Sequence, residues 1–280
     1  MPSRIVTAAI ILFWLTMTGW LVYREVVPTM IADASPTYTP DLTDEIGSPQ
    51  ISWTILHNGK RTGGATSQVI SNADRSFTFR TAYRFRQFSY LGIEIRSIEV
   101  KYNISDAGKL QSLATKHTIL APLLSKDEIR LEMKGAVANG VYRPTFFLND
   151  VEEKLPDFGE IRFDQTGNIV NPMHLFNRLR GLRDGQTWKV PRPDPLQGLK
   201  KQLPAAFAKQ LSGSTLTAAV SVDTLEWDQR EVQCFKIEYR ELGKKDLIGR
   251  TWVRKADGLV LQQEQSELGM NFTIQRTPGQ

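Results

Sequence analysis

Cys234 is the only cysteine in 280 residues. That excludes a disulfide framework, a cysteine-based zinc site and an iron–sulfur cluster. Histidine is almost as scarce: His57, His117 and His174 lie far apart, with no partner at metal-ligand spacing. Each reads as a surface or capping residue. The chain has no G-x-S-x-G elbow, H-E-x-x-H pair, Walker-type phosphate loop, C-x-x-C pair or dinucleotide fingerprint. A thiolate nucleophile needs a base and an electropositive pocket, and nothing beside Cys234 encodes them. Asp127-Glu128 and Glu152-Glu153 are sequence neighbours, so on strands they face opposite ways and make no glycosidase pair. Two Asn-x-Ser/Thr sequons, at Asn103 and Asn271, matter only in a eukaryotic secretory route. No catalytic, cofactor-binding or metal-ligating constellation is present, which argues against an enzyme; a hydrolase would have to be assembled from dispersed residues.

Charge of one sign is also in short supply. Lys+Arg exceed Asp+Glu by only 5, while hydrophobic residues make up 41% and charged ones 23%. These are globular values and exclude wholesale disorder. The positive excess is local. Residues 171–211 carry Arg178, Arg180, Arg183, Lys189, Arg192, Lys200, Lys201 and Lys209 against Asp184 and Asp194 alone. Such a patch reads either as solvated outer surface or as a face turned toward anionic headgroups. A nucleic-acid partner is not expected.

What the sequence does have begins at its amino terminus. Ile5–Tyr23 (IVTAAIILFWLTMTGWLVY) holds no charge and nothing more polar than three threonines. Nineteen residues give about 28 Å of helix, one bilayer core. A core helix would keep a polar stripe, and this run has none. Trp20 and Tyr23 suit an interfacial aromatic belt. The run exceeds a signal-peptide h-region, so a retained signal anchor is expected. Ala32-Asp33-Ala34 resembles a cleavage site but lies well past the run, and no cysteine follows for lipid attachment. Arg4 precedes the run and Arg24 follows it, with no Lys or Arg after that until Lys60. Residues 1–4 are therefore expected to be cytoplasmic and the bulk exported: a single-pass protein of the inner (plasma) membrane with an extracytoplasmic C-terminal domain.

Residues 24–49 carry Pro28, Pro36, Pro40 and Pro49 among Asp33, Asp41, Asp44 and Glu45, the composition of an extended acidic tether. From 50 to 277 the dominant period is two. Phe77, Phe79, Tyr83 and Phe85 share one face, and Arg80, Arg84 and Arg86 lie opposite. Ile93 and Ile95 change parity to Ile98, Val100, Tyr102 and Ile104, which predicts a bulge at Arg96-Ser97. Phe235, Ile237 and Tyr239, then Met270, Phe272 and Ile274, point inward, with Cys234 on the other face. Asn58-Gly59, Ala107-Gly108, Gly167-Asn168 and Asp257-Gly258 mark hairpin turns. Trp53 and Trp252 each precede such a turn by five residues, a pattern compatible with internal duplication or with chance.

Short connections make the strands antiparallel, about ten to twelve of them. Asn171-Pro172 and Asp194-Pro195 look like helix starts, with Met173, Leu175, Phe176, Leu179 and Leu182, then Leu196, Leu199 and Leu203, at helical spacing. Pro204 closes the second helix and opens a short third around Phe207 and Leu211. The expected fold is thus mostly β: one N-terminal transmembrane helix, then a large curved antiparallel sheet with a helical insert at 171–211 covering an open face.

Three stretches carry a likeness: Trp53-x4-Asn58-Gly59, Asp184-Gly185-Gln186-Thr187-Trp188, and Thr251-Trp252 through Asp257-Gly258-Leu259-Val260-Leu261 to Arg276. On them the body resembles uncharacterised bacterial exported β-proteins related to the lipoprotein-carrier-like half-barrel. The resemblance implies an apolar cleft for acyl-chain-like ligands under a helical lid, with Phe77, Phe79, Tyr83 and Phe85 either lining it or filling plain core. Carriers of that kind are soluble or lipid-anchored, so a transmembrane anchor argues against shuttling. The expected activity is non-catalytic lipid-like binding at a membrane. The alternative is a scaffold that binds another protein of a cell-envelope complex.

Overall fold

The computed structural model describes residues 47–86, 88–90, 93–106, 109–122, 125–153, 161–162, 174–190, 215–243, 246–267 and 270–279. The expected anchor, most of the tether, the Ala107-Gly108 and Gly167-Asn168 turns and all of 191–214 lie outside them. Among the described residues no helix is long and apolar enough to cross a membrane.

The chain forms β1 (Ile51–His57), β2 (Lys60–Ser71), β3 (Phe77–Phe85), β4 (Ser89–Tyr90), β5 (Ile93–Ile104), β6 (Leu110–Leu120), β7 (Glu128–Ala138) and β8 (Val141–Leu148). Short β9 (Val151–Glu153) and β10 (Ile161–Arg162) follow, then β11 (Thr187–Val190), β12 (Leu216–Trp227), β13 (Arg230–Glu241), β14 (Leu247–Arg254), β15 (Val260–Glu267) and β16 (Met270–Arg276). The described strands make one antiparallel sheet in the order β10-β8-β7-β6-β5-β3-β2-β1-β16-β15-β14-β13-β12-β11, with β4 paired to β5 and β9 to β8 off this path. Two meanders are therefore joined where the chain's first and last strands pair, Ile55 opposite Ile274. The count exceeds the expected ten to twelve strands because several are only two to four residues long.

Local chemistry sets the hairpins. Asn58-Gly59, Asn139-Gly140, Asn149-Asp150 and Asp228-Gln229 each link two strands with both residues at positive φ. That is the two-residue turn whose twist matches the flanking strands, and Asn, Asp and Gly tolerate it best. The register slips between Ile95 and Ser97, at the expected bulge. Trp53 and Trp252, alike in their distance from a turn, face opposite sides of the sheet. Trp53 points inward and its Nε1–H donates to Ser67 Oγ at 2.9 Å. Trp252 points outward and donates to Asp223 Oδ2 at 3.1 Å. Opposite facing removes the case for a duplicated unit.

The expected helix beginning at Asn171-Pro172 is absent from the described part of the insert. Residues 174–186 run as an irregular segment whose Leu175, Phe176, Leu179 and Leu182 are buried in the main core. Apart from two short local bonds, Phe176 N–H to His174 O and Gln186 N–H to Arg183 O, its backbone groups bond across to other parts of the chain. Leu179 N–H donates to Gly258 O, Val260 N–H to Asn177 O, and Gly185 N–H to Val220 O. A helix would have to break all of these. Asn177 is clamped further, with Arg276 Nη1 donating to its Oδ1 at 2.8 Å and its own Nδ2 donating to Ser48 Oγ at 3.1 Å.

One residue demonstrates the curvature. The His174 ring lies 4.5 Å from that of Tyr102 on β5, while its carbonyl oxygen accepts from Gln263 Nε2 of β15 at 3.0 Å. Those strands are five places apart in the sheet, about 24 Å in a flat one. The sheet therefore curls around the segment, and the face that meets it is the inner face.

Candidate functional site

Strand register places the inner side chains of β3 and β5–β8 in cross-strand rows. Tyr83, Ile98, His117, Leu131 and Leu148 form one row. Thr81, Val100, Thr115, Met133 and Phe146 form the next, and Phe79, Tyr102, Leu113, Gly135 and Pro144 the third. No Lys, Arg, Asp or Glu occupies any position in these rows. Ile98, Val100, Tyr102, Leu113, Thr115, His117 and Phe146 are half-buried, not sealed. Gly135 is there for space: a Cβ would sit 2.9 Å from the Tyr142 ring and closer still to Arg143 O. The Tyr142 ring lies across that gap with no exposed surface, and its hydroxyl donates to Leu113 O at 3.1 Å.

Among the described residues the polar side chains in and beside these rows are hydroxyls and imidazoles. Burial pushes the His174 pKa down to about 4 and lowers that of His117, so both rings are neutral at pH 7. Tyr102 is pushed well above the ordinary phenol range, by burial first and by neighbouring Tyr83 second. The surface combines apolar bodies with uncharged hydrogen-bonding tips, which suits binding better than bond-breaking chemistry. Among the described residues no cluster of three His, Cys, Asp or Glu could hold a metal.

Of the four aromatic residues expected to line an apolar cleft, Phe77 and Phe79 lie in the core, Phe79 in an edge-to-face contact with Phe176 at 5.5 Å. Tyr83 and Phe85 are half-buried. Phe85 joins Phe88, Phe272 and His57 in an aromatic cluster with centroids 5.1–6.4 Å apart, closing one end of the inner face. The expectation that all three histidines are surface or capping residues fails for His117 and His174, which face inward. The signal was in the sequence: Leu113, Thr115, His117 and Ile119 share one parity. In the basic patch, Arg178 is half-buried and Arg180 and Arg183 exposed on the irregular segment, and Lys189 is on β11. Arg192, Lys200, Lys201 and Lys209 lie outside the described residues.

The outer face differs in kind. An open groove of about 440 Å³ there is lined by Arg80, Glu99, Lys101, Lys116 and Glu132 together with Ile70 and Ala114 among others, charged side chains over an apolar floor. Cys234 is buried in an outer cluster with Trp252 and Leu261, under Leu225 and Trp227. Burial and the Asp223 carboxylate push its thiol up to about 11, which leaves it unreactive at neutral pH.

No protein-family model matches the chain, and no curated protein does either. Among solved structures it is similar to a crystallised beta-barrel-like protein of a domain of unknown function, DUF1849, from Brucella abortus. The identity is 8% and the TM-score 0.36, over 81% of this chain and 95% of that one.

Proposed function

We propose that this chain is a membrane-tethered, extracytoplasmic, non-catalytic domain that binds an apolar, lipid-like ligand on the inner face of β3 and β5–β8. The observation that carries the proposal is the uncharged, half-buried state of that face, beside a second half whose centre, at Leu216, Ala218, Ile237, Tyr239, Val253 and Val260, is fully buried. The uncharged run Ile5–Tyr23 and the Pro-rich stretch after it support the tether, which enters the domain at Ser48 beside Asn177. Arg180 and Arg183, exposed on the irregular segment, would meet anionic headgroups if that side faces the bilayer.

The test is organic extraction and mass spectrometry of the purified full chain. Copurifying lipid is expected, and Thr115→Glu should lose it while retaining the β-sheet circular dichroism of the wild type. A full chain that carries no lipid and takes up none from vesicles overturns the binding reading. A C-terminal reporter active only in the cytoplasm overturns the extracytoplasmic one.

One feature favours a second reading, as an envelope scaffold. Among the described residues β11 pairs only with Leu216–Ala219 of β12. Gly185 and Gln186 continue the pairing to Val220, and beyond it no strand lies beside the β12 edge among the described residues, where Val222 is 44% exposed. An extended segment of another protein could add at this edge. Crosslinking in intact membranes that recovers lipid but no reproducible protein partner would count against this reading.

A further inference from the structure

The inner face of β3 and β5–β8 also specifies the charge of what it takes, an inference that rests on the binding reading above. We propose that this surface accepts an electrically neutral amphiphile, an alkyl or isoprenoid chain ending in a hydroxyl, ester or amide. It excludes the ionised carboxylate or phosphate counterpart of the same chain.

The argument is one of compensation. An ionised headgroup drawn onto a dehydrated surface needs an opposite charge or several strong donors, or its desolvation is unmet. The three rows from Tyr83–Leu148 to Phe79–Pro144 contain no cationic side chain to supply one. The inward guanidinium of Arg276 is three strands from Tyr83 in the sheet order, stacks over Trp53 at 6.0 Å and already donates to Asn177. A neutral hydroxyl or ester needs one or two ordinary hydrogen bonds. Thr115 in the middle row and the imidazole of His117 beside it provide uncharged partners for that purpose. His174, seated over Tyr102, offers a third at the other side of the same surface.

The experiment uses the full chain in phosphatidylcholine nanodiscs and two diazirine-bearing probes of equal chain length, one ending in an alcohol and the other in a carboxylic acid. After photolysis, adducts are mapped by peptide mass spectrometry. At pH 8 the alcohol should label β3 and β5–β8 at least tenfold more than the acid. Lowering the pH to 5 should raise labelling by the acid, because its carboxyl becomes neutral while the His174 ring, with a pKa of about 4, stays uncharged. Thr115→Lys should reverse the preference at pH 8; if that variant does not fold, the pH series on the wild type decides. Equal labelling by the two probes at pH 8, or preference for the acid, overturns the charge selectivity and leaves apolar binding standing. Absence of both probes from these strands overturns the binding reading itself.

Discussion

The two halves of the sheet share strand lengths, hairpin types and alternation, yet their inner faces are finished differently. On β12–β15, Leu216, Ala218, Ile237, Tyr239, Val253 and Val260 are all at 0% exposure. There the 174–186 segment is hydrogen-bonded to the sheet through Val220, Gly258 and Val260. On β5 and β6 the equivalent side chains, Ile98 to Tyr102 and Leu113 to His117, stay half-buried. The outer faces diverge as well. Across β12–β15 the carboxylates interlock with cations: Lys236 with Asp223 at 3.3 Å, Arg250 with Glu238 at 3.4 Å and with Glu264 at 3.2 Å. On β3 and β5 the Arg80–Glu99 contact is 3.9 Å, with both side chains well exposed. One half is packed around the crossing segment; the other keeps an uncharged, half-buried surface. Among the described residues burial is concentrated where the 174–186 segment crosses the inner face.

Mutations should expose this asymmetry. Ile237→Ala, in the packed half, should cost about 4 kcal/mol, read as a large drop in the urea midpoint at unchanged m-value. The His174 site makes the crossing segment pH-sensitive. Its folded pKa of about 4 lies below the usual histidine value of about 6.5, so the folded state disfavours the proton. Stability is intact above pH 6.5 and falls as pH drops from 6.5 toward 4, by on the order of 3 kcal/mol at the acid end. Carboxylates titrate in part of that window too, so the informative measurement is the difference between wild type and His174→Phe, which should lack this component.

Gly258→Ala should cost about 2 kcal/mol. Gly258 has φ 75 and a Cβ there would meet Leu179 O at 3.0 Å, lifting the segment from its strand. A thermal melt reads this, and an unchanged melting temperature would mean the segment is not held there. Leu113→Ala, in the open half, should cost only about 1 kcal/mol yet weaken lipid retention, the reverse of Ile237→Ala. Arg80→Ala should change stability by less than about 0.5 kcal/mol in a chemical melt at moderate salt.

Much of this was legible from side-chain alternation. The inward parity of Ile98, Val100, Tyr102 and Ile104, the bulge before them and the Asn58-Gly59 turn all follow from local rules, because a strand's facing and a tight turn's φ are set by adjacent residues. The Asn149-Asp150 and Asp228-Gln229 turns were harder to read, since neither contains glycine. Residues 174–186 depart from the expected helix for a physical reason. Leu175, Leu179 and Leu182 have helical spacing, but spacing reports only which residues seek burial. When a curved sheet offers backbone donors and acceptors at Gly258, Val260 and Val220, an irregular path satisfies the same side chains. Trp53 and Trp252 show the same limit: each lies five residues before an Asn-Gly or Asp-Gly pair, yet they face opposite sides, and Asn58-Gly59 is a two-residue link whereas Asp257-Gly258 sits in the longer connection between Arg254 and Val260.

The sequence by itself determined the antiparallel β character, the facing of most strands, the apolar leader with its Pro-rich follower and the absence of catalytic or metal-binding motifs. These are fixed by composition and by neighbours a few residues apart. Only the tertiary structure decided that the first and last strands pair, that 174–186 crosses the inner face without a helix, and that His117 and His174 face inward toward an uncharged surface. Each of those depends on contacts between residues far apart in the chain, where the free energy of burial and of backbone pairing overrides local preference.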